Sequence, residues 1–99
     1  MPEKMIYLVT TLQFADATRN SRCVGFYFDL EDANRLVFNN GMDIAEEGYY
    51  RYAVIEEKGE GTYRMVSNEW WFKFDRGVNQ YVRCSKPEKL HNVCCFGIG

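Results

Sequence analysis

Residues 24–57 constrain the fold more than any other stretch, because a strand pattern, a capped helix and a second strand pattern follow one another there: VGFYFD, LEDANRLVFNN and YYRYAVIEE. Asp29 precedes Leu30 at the place where an N-cap carboxylate accepts hydrogen bonds from the unpaired amides of the first turn. Glu31 and Asp32 add negative charge at the positive end of the helix dipole. At about 100° per residue, Leu30, Ala33, Leu36 and Val37 fall within about 120°, the width of one core-facing stripe. Asn39, Asn40 and Gly41 tolerate the left-handed backbone that ends a helix. The spacing predicts a helix over residues 30–40 with one packed face. Phe38 lies off the stripe and is expected to pack under the loop leading to Tyr49, with an exposed aromatic at a partner surface as the alternative.

Around this unit the chain reads as strands. Met5–Leu12 (MIYLVTTL) carries apolar residues in both alternation phases, as in a strand inside a sheet with both faces covered. Residues 15–21 are turn-rich, and 22–28 form a second strand in which Gly25 marks a bulge. After a helical turn over 42–48, a strand over 49–57 puts Tyr49, Arg51, Ala53 and Ile55 on one face and Tyr50, Tyr52 and Val54 on the other. Residues 58–61 (KGEG) form a turn, 62–66 return as a strand, and Ser67, Asn68 and Glu69 interrupt it. WWFKFD over 70–75 and a short strand over 80–84 follow, and residues 85–99 make an irregular tail packed by Leu90, Val93, Phe96 and Ile98. One helix among clustered strands predicts an α+β fold, a mainly antiparallel sheet (ββαββ plus one or two further strands) with the helix packed on a face. A chain of 99 residues supports a single domain.

Charge removes some functions. With 12 basic and 14 acidic residues mixed along the chain, there is no basic stripe for duplex DNA. No run approaches the roughly 20 apolar residues of a membrane span, and no signal-peptide pattern follows Met1, so a cytoplasmic protein is expected. In that compartment Cys23, Cys84, Cys94 and Cys95 are expected as thiols. Cys84, His91, Cys94 and Cys95 lie close together, but vicinal cysteines chelate one tetrahedral ion poorly and paired C-x-x-C spacing is missing, so no metal and no cofactor is expected.

Catalytic patterns are equally thin. His91, the single histidine, stands in the tail without a nucleophile context. Glu46 and Glu47, or Glu56 and Glu57, could serve acid–base chemistry, but neighbours on a strand point to opposite faces and cannot share a proton site. Two Trp, seven Tyr and seven Phe exceed what a small core needs, and several are interleaved with arginine. Flat rings can stack a base while guanidinium forks hold phosphate, so Arg22, Arg51, Tyr52, Trp71 and Lys73 are the candidate ligand-binding residues. Trp, Tyr and Arg are also the residues enriched at protein interfaces.

Several short motifs extend over nearly the whole chain: the opening IYLVT, Ser21-Arg22 with Gly25, Tyr49-Tyr50 with Ala53 to Glu57, Trp71-Phe72-Lys73, and the closing Gly97 to Gly99. In these the sequence resembles a family of small uncharacterised proteins of bacterial and phage genomes, for which no activity is established. The resemblance implies a free-standing domain in a phage setting. The expected function is a non-catalytic protein that sequesters a small nucleotide-like ligand, as a phage-encoded sponge against a nucleotide-signalled host defence. The alternatives are an inhibitor or adaptor docking a host protein through Trp70, Trp71 and the sheet edge, and a small hydrolytic or metal-dependent enzyme. An aromatic sheet edge also favours a homodimer.

Overall fold

The computed structural model describes residues 5–13, 21–59, 68–91 and 96. Within these residues five strands, β1 (Met5–Leu12), β2 (Arg22–Tyr27), β3 (Tyr52–Gly59), β4 (Asn68–Asp75) and β5 (Gln80–Cys84), form one antiparallel sheet in the order β2-β1-β3-β4-β5. Among the described residues one α-helix, α1 (Leu30–Phe38), packs on one face through Ala33 and Val37. This is the α+β architecture that the sequence predicts. β1 lies inside the sheet with five of its eight residues buried, as its two apolar phases require.

Helix α1 starts where expected. The Asp29 carboxylate accepts from the Glu31 amide at 2.8 Å, and Asn40 ends the helix in the left-handed region. Its last residue is Phe38, two short of the predicted end, and Phe38 meets Phe72 edge to face at 5.2 Å between ring centres instead of lying under the Tyr49 loop.

Register sorts the side chains. Val9, Ala53, Ile55, Phe72, Phe74 and Tyr81 face the helix, with Ile44 and Ala45 closing the same core. On the opposite face Leu12, Val54, Trp71 and Leu90 pack together with Tyr52, Cys84 and Phe96. A 3-10 turn over Glu88–Leu90 brings Leu90 beneath this second face. Val24 is left unmatched where Val9 pairs with Gly25 and Thr10 with Cys23, which puts the bulge one residue before the expected glycine.

Three boundaries differ from expectation. β3 begins at Tyr52 rather than Tyr49, because Tyr49 and Tyr50 donate their amides back to Glu46 and Ala45 and so belong to a turn. Lys58 and Gly59 continue β3 by pairing with Ile6 and Met5, where a turn was expected. Asn68 and Glu69 belong to β4, since Glu57 and Glu56 pair with them across the strands. The strand expected over 62–66, and Val93 and Ile98 of the tail, lie outside the described residues.

Candidate functional site

Among the described residues, positive φ is concentrated in the connection from α1 to β3. Asn40, Met42, Asp43, Glu46 and Glu47 all hold positive φ, between 45° and 60°, and Gly48 follows at 94°. Left-handed backbone costs a non-glycine residue free energy, so several within one short segment persist only where hydrogen bonds over-determine them. Asn40 and Asp43 supply those bonds. The Asn40 amide oxygen accepts from the Ala45 amide at 2.9 Å, and its nitrogen donates to Asp43 at 3.0 Å. Asp43 also accepts from the Glu47 amide at 3.2 Å.

The turn so fixed delivers Glu46, Tyr49 and Tyr50 to the end of the sheet where β1 finishes and β3 begins. Arg22, paired across β1 with Thr11, reaches into it: one guanidinium nitrogen lies 2.6 Å from Glu46, and its centre sits 4.9 Å above the Tyr50 ring. Tyr49 meets Tyr50 edge to face at 5.0 Å. Below them the Tyr81 hydroxyl donates to the Tyr50 carbonyl at 2.6 Å, and burial pushes its phenol far above the ordinary range, with Asp43 adding to the shift and Arg22 opposing it. Arg51 is exposed one residue before β3, its carbonyl accepting from the Phe74 amide at 2.7 Å. Arg76, just past β4, also belongs to this end, its side chain packing beside Gly48. Among the described residues the buried Thr11 hydroxyl finds no hydrogen-bond partner. Three arginines and two tyrosines therefore gather at one end of the sheet, with Glu46 as the carboxylate paired to Arg22.

The other predicted residues lie on the opposite face. Tyr52 is half-buried and pairs across the strands with exposed Lys73. Trp71 is only 3% exposed and is closed over by Phe96, edge to face at 5.4 Å, so its ring has a core partner where a stacked base was expected. The structure thus brings Arg22, Arg51, Tyr52 and Lys73 to one end of the sheet, divides them between its faces, and leaves Trp71 in the interior. Trp70 is half-buried, packs against the helix-side core and meets Tyr7 at 6.2 Å.

Beside Trp71 is a polar network that composition does not reveal. Glu56, fully buried, stands across from Glu69 on the same face, two carboxylates in adjacent strands. Like charges so placed repel. Donors offset them: the Phe96 amide gives to Glu56 at 3.1 Å, the Trp71 indole to Glu69 at 2.9 Å, and the Lys86 ammonium lies 3.1 Å from Glu69. Glu57 points to the helix side, where Tyr7 and Asn68 each donate to it at 2.9 Å, so Glu56 and Glu57 do occupy different faces. The hydrogen bond to Glu57 raises the Tyr7 pKa.

Asn39, Asn40, Asp43, Glu47, Val78, Asn79 and Gln80 line an open polar groove of about 710 Å³ between the α1–β3 turn and the β4–β5 hairpin. Its lining contains no aromatic ring and no arginine. Cys23 and Cys84 are free thiols, and burial raises the Cys84 pKa, whereas Cys94 and Cys95 lie outside the described residues. Among the described residues no helix is long and apolar enough to cross a membrane. Comparison with known protein families, with curated proteins and with solved structures found no match.

Proposed function

We propose that the chain is a non-catalytic cytoplasmic binding protein that holds a small nucleotide-like anion at the Arg22–Tyr50–Arg51 end of its sheet. The observation that supports this is the Arg22 guanidinium stacked 4.9 Å over the Tyr50 ring, beside exposed Arg51 and Arg76. A planar fork on an aromatic face offers phosphate two parallel donors, and exposed Tyr49 offers a base a stacking surface. Tyr50 takes the place of Trp71 in this reading. A phage-encoded sponge is the biological setting that the sequence resemblance favours.

Glu46 competes with the ligand for Arg22. Both partners of that pair are about half exposed, so it contributes only ~0.2–1 kcal/mol and an incoming phosphate can displace it. Glu46→Gln is therefore expected to tighten anion binding by a similar amount, and Arg51→Ala to weaken it by about 1.5–3 kcal/mol, as for a lost charged hydrogen bond. Titration calorimetry against cyclic and linear nucleotides tests this: absence of binding at high protein concentration rejects the ligand, and recovery of a cleaved product rejects the non-catalytic role.

A second reading, docking of a host protein, is favoured by Phe26 and Phe28, which are 56% and 74% exposed on the sheet edge. Retention of a host protein on the wild-type chain and its loss with Phe28→Ser would support that reading.

A further inference from the structure

Among the described residues, strand β2 ends the sheet, with β1 as its neighbour. Edge strands are usually protected by lysine, proline or a cover, since their free amides and carbonyls recruit another strand. Residues 22–29 (RCVGFYFD) contain neither lysine nor proline. Arg22, Cys23, Phe26, Phe28 and Asp29 are exposed, and a Cβ added to Gly25 would meet nothing within 4 Å. The Phe26 and Phe28 rings meet edge to face at 5.8 Å and form an apolar patch on the side of the sheet away from α1. The backbone remains extended at Asp29, with φ −130° and ψ 128°.

We infer that β2 pairs antiparallel with β2 of a second copy about a two-fold axis at Phe26, joining two sheets edge to edge. The strand's own pattern selects both this partner and this register. Val24 is the extra residue of the bulge, so counting along the extended strand passes over it. With Phe26 opposite its own copy, Gly25 faces Tyr27, Cys23 faces Phe28 and Arg22 faces Asp29 of the second copy. Each of these pairs lies on a single face of the sheet. Both charges of the strand then meet an opposite charge, and the two Phe26–Phe28 pairs merge into one apolar cluster. A slip of one residue would send every facing pair to opposite sides. A slip of two would centre the axis on Tyr27, match the faces again, and leave Asp29 opposite Gly25 with the Arg22–Asp29 pairing lost. The contact is isologous, so it closes at two copies. Arg22 is shared with the ligand reading, but the apolar cluster lies on the face away from Glu46 and Tyr50, so Phe26 variants test the contact separately from anion binding.

Sedimentation velocity over a micromolar concentration series, combined with directed disulfide formation, tests the inference. The wild-type chain is expected to sediment as a dimer. Phe26→Lys should raise the dimer Kd by about 30-fold or more, the loss typical of a central anchor, without changing circular dichroism or the denaturant midpoint. In a Cys23→Ser background, Phe26→Cys should give a covalent dimer under mild oxidation, whereas Val82→Cys on the opposite edge strand and the background alone should not. A wild-type chain that remains monomeric throughout the series overturns the inference. So does a dimer that survives Phe26→Lys, or a Phe26→Cys chain that cross-links no better than Val82→Cys.

Discussion

Tyr81 ties the last strand to the start of β3. Its side chain is 1% exposed, and its hydroxyl donates to the Tyr50 carbonyl, a residue that also lies beneath the Arg22 guanidinium. Tyr81→Phe leaves that carbonyl without its donor and should cost about 1–3 kcal/mol at neutral pH. The pH dependence has a definite sign. Burial raises the folded-state phenol above its unfolded value of 10.0. Above that pH the unfolded chain releases a proton that the folded chain keeps, so stability falls as pH rises. The contribution is complete below pH 10.0 and is lost only on the alkaline side. Denaturant midpoints of wild type and Tyr81→Phe at about pH 8 and about pH 11 should therefore converge as pH increases. Asp29 gives a second residue-scale test. Asp29→Ala should cost about 0.5–2 kcal/mol in a denaturant titration, whereas Asp29→Asn, which keeps the capping oxygen, should cost far less.

At the scale of elements, the limits of prediction coincide with the switch from local to long-range causes. Helix α1 was legible because its cap, its first-turn acids and its stripe are written within a dozen residues. β1 was legible because burial on both faces leaves apolar residues in both phases. The turn from Asn40 to Tyr50 was not, since Met42, Glu46 and Glu47 give no sign of left-handed backbone. The Asn40 and Asp43 side chains, bonded to amides up to five residues away, hold them there together with backbone bonds through the turn. Alternation alone therefore continues the strand through Tyr49 and Tyr50, and nothing in the sequence marks Tyr50 as the partner of Arg22. The burial of Trp71 is hidden for a related reason: alternation gives its face, but its cover comes from Phe96, 25 positions later. Gly48 tests the rigidity of this turn. At φ 94°, with an added Cβ 3.3 Å from the Phe74 ring, Gly48→Ala should cost about 1–3 kcal/mol and lower the thermal midpoint.

The molecule as a whole is a sheet with two unequal covers. One face carries a helix whose apolar stripe alone specifies its placement. The opposite face is closed in part by Leu90 and Phe96, and there packing is joined to charge. Glu56 is fully buried and Lys58 is 2% exposed, on a face where Glu56 also opposes Glu69. A carboxylate held away from water needs donors, and the backbone amide of Phe96 is one of them. Phe96 is therefore held by its amide as well as its ring, and removing the ring should disturb the network as well as the packing. Phe96→Ala withdraws the ring from Trp71 and from Lys86, whose ammonium lies 5.9 Å from its centre. Because Phe96 is only half-buried, the expected cost is about 1–3 kcal/mol, below that of a fully enclosed phenylalanine. Trp71 should then meet water and its emission should shift to the red, while Trp70, packed on the helix side, should not respond. Denaturation followed by fluorescence, with Trp70→Phe and Trp71→Phe backgrounds separating the two indoles, reads both effects. A red shift that persists in the Trp71→Phe background would place the change on the wrong face and show that Phe96 does not hold the tail to the sheet.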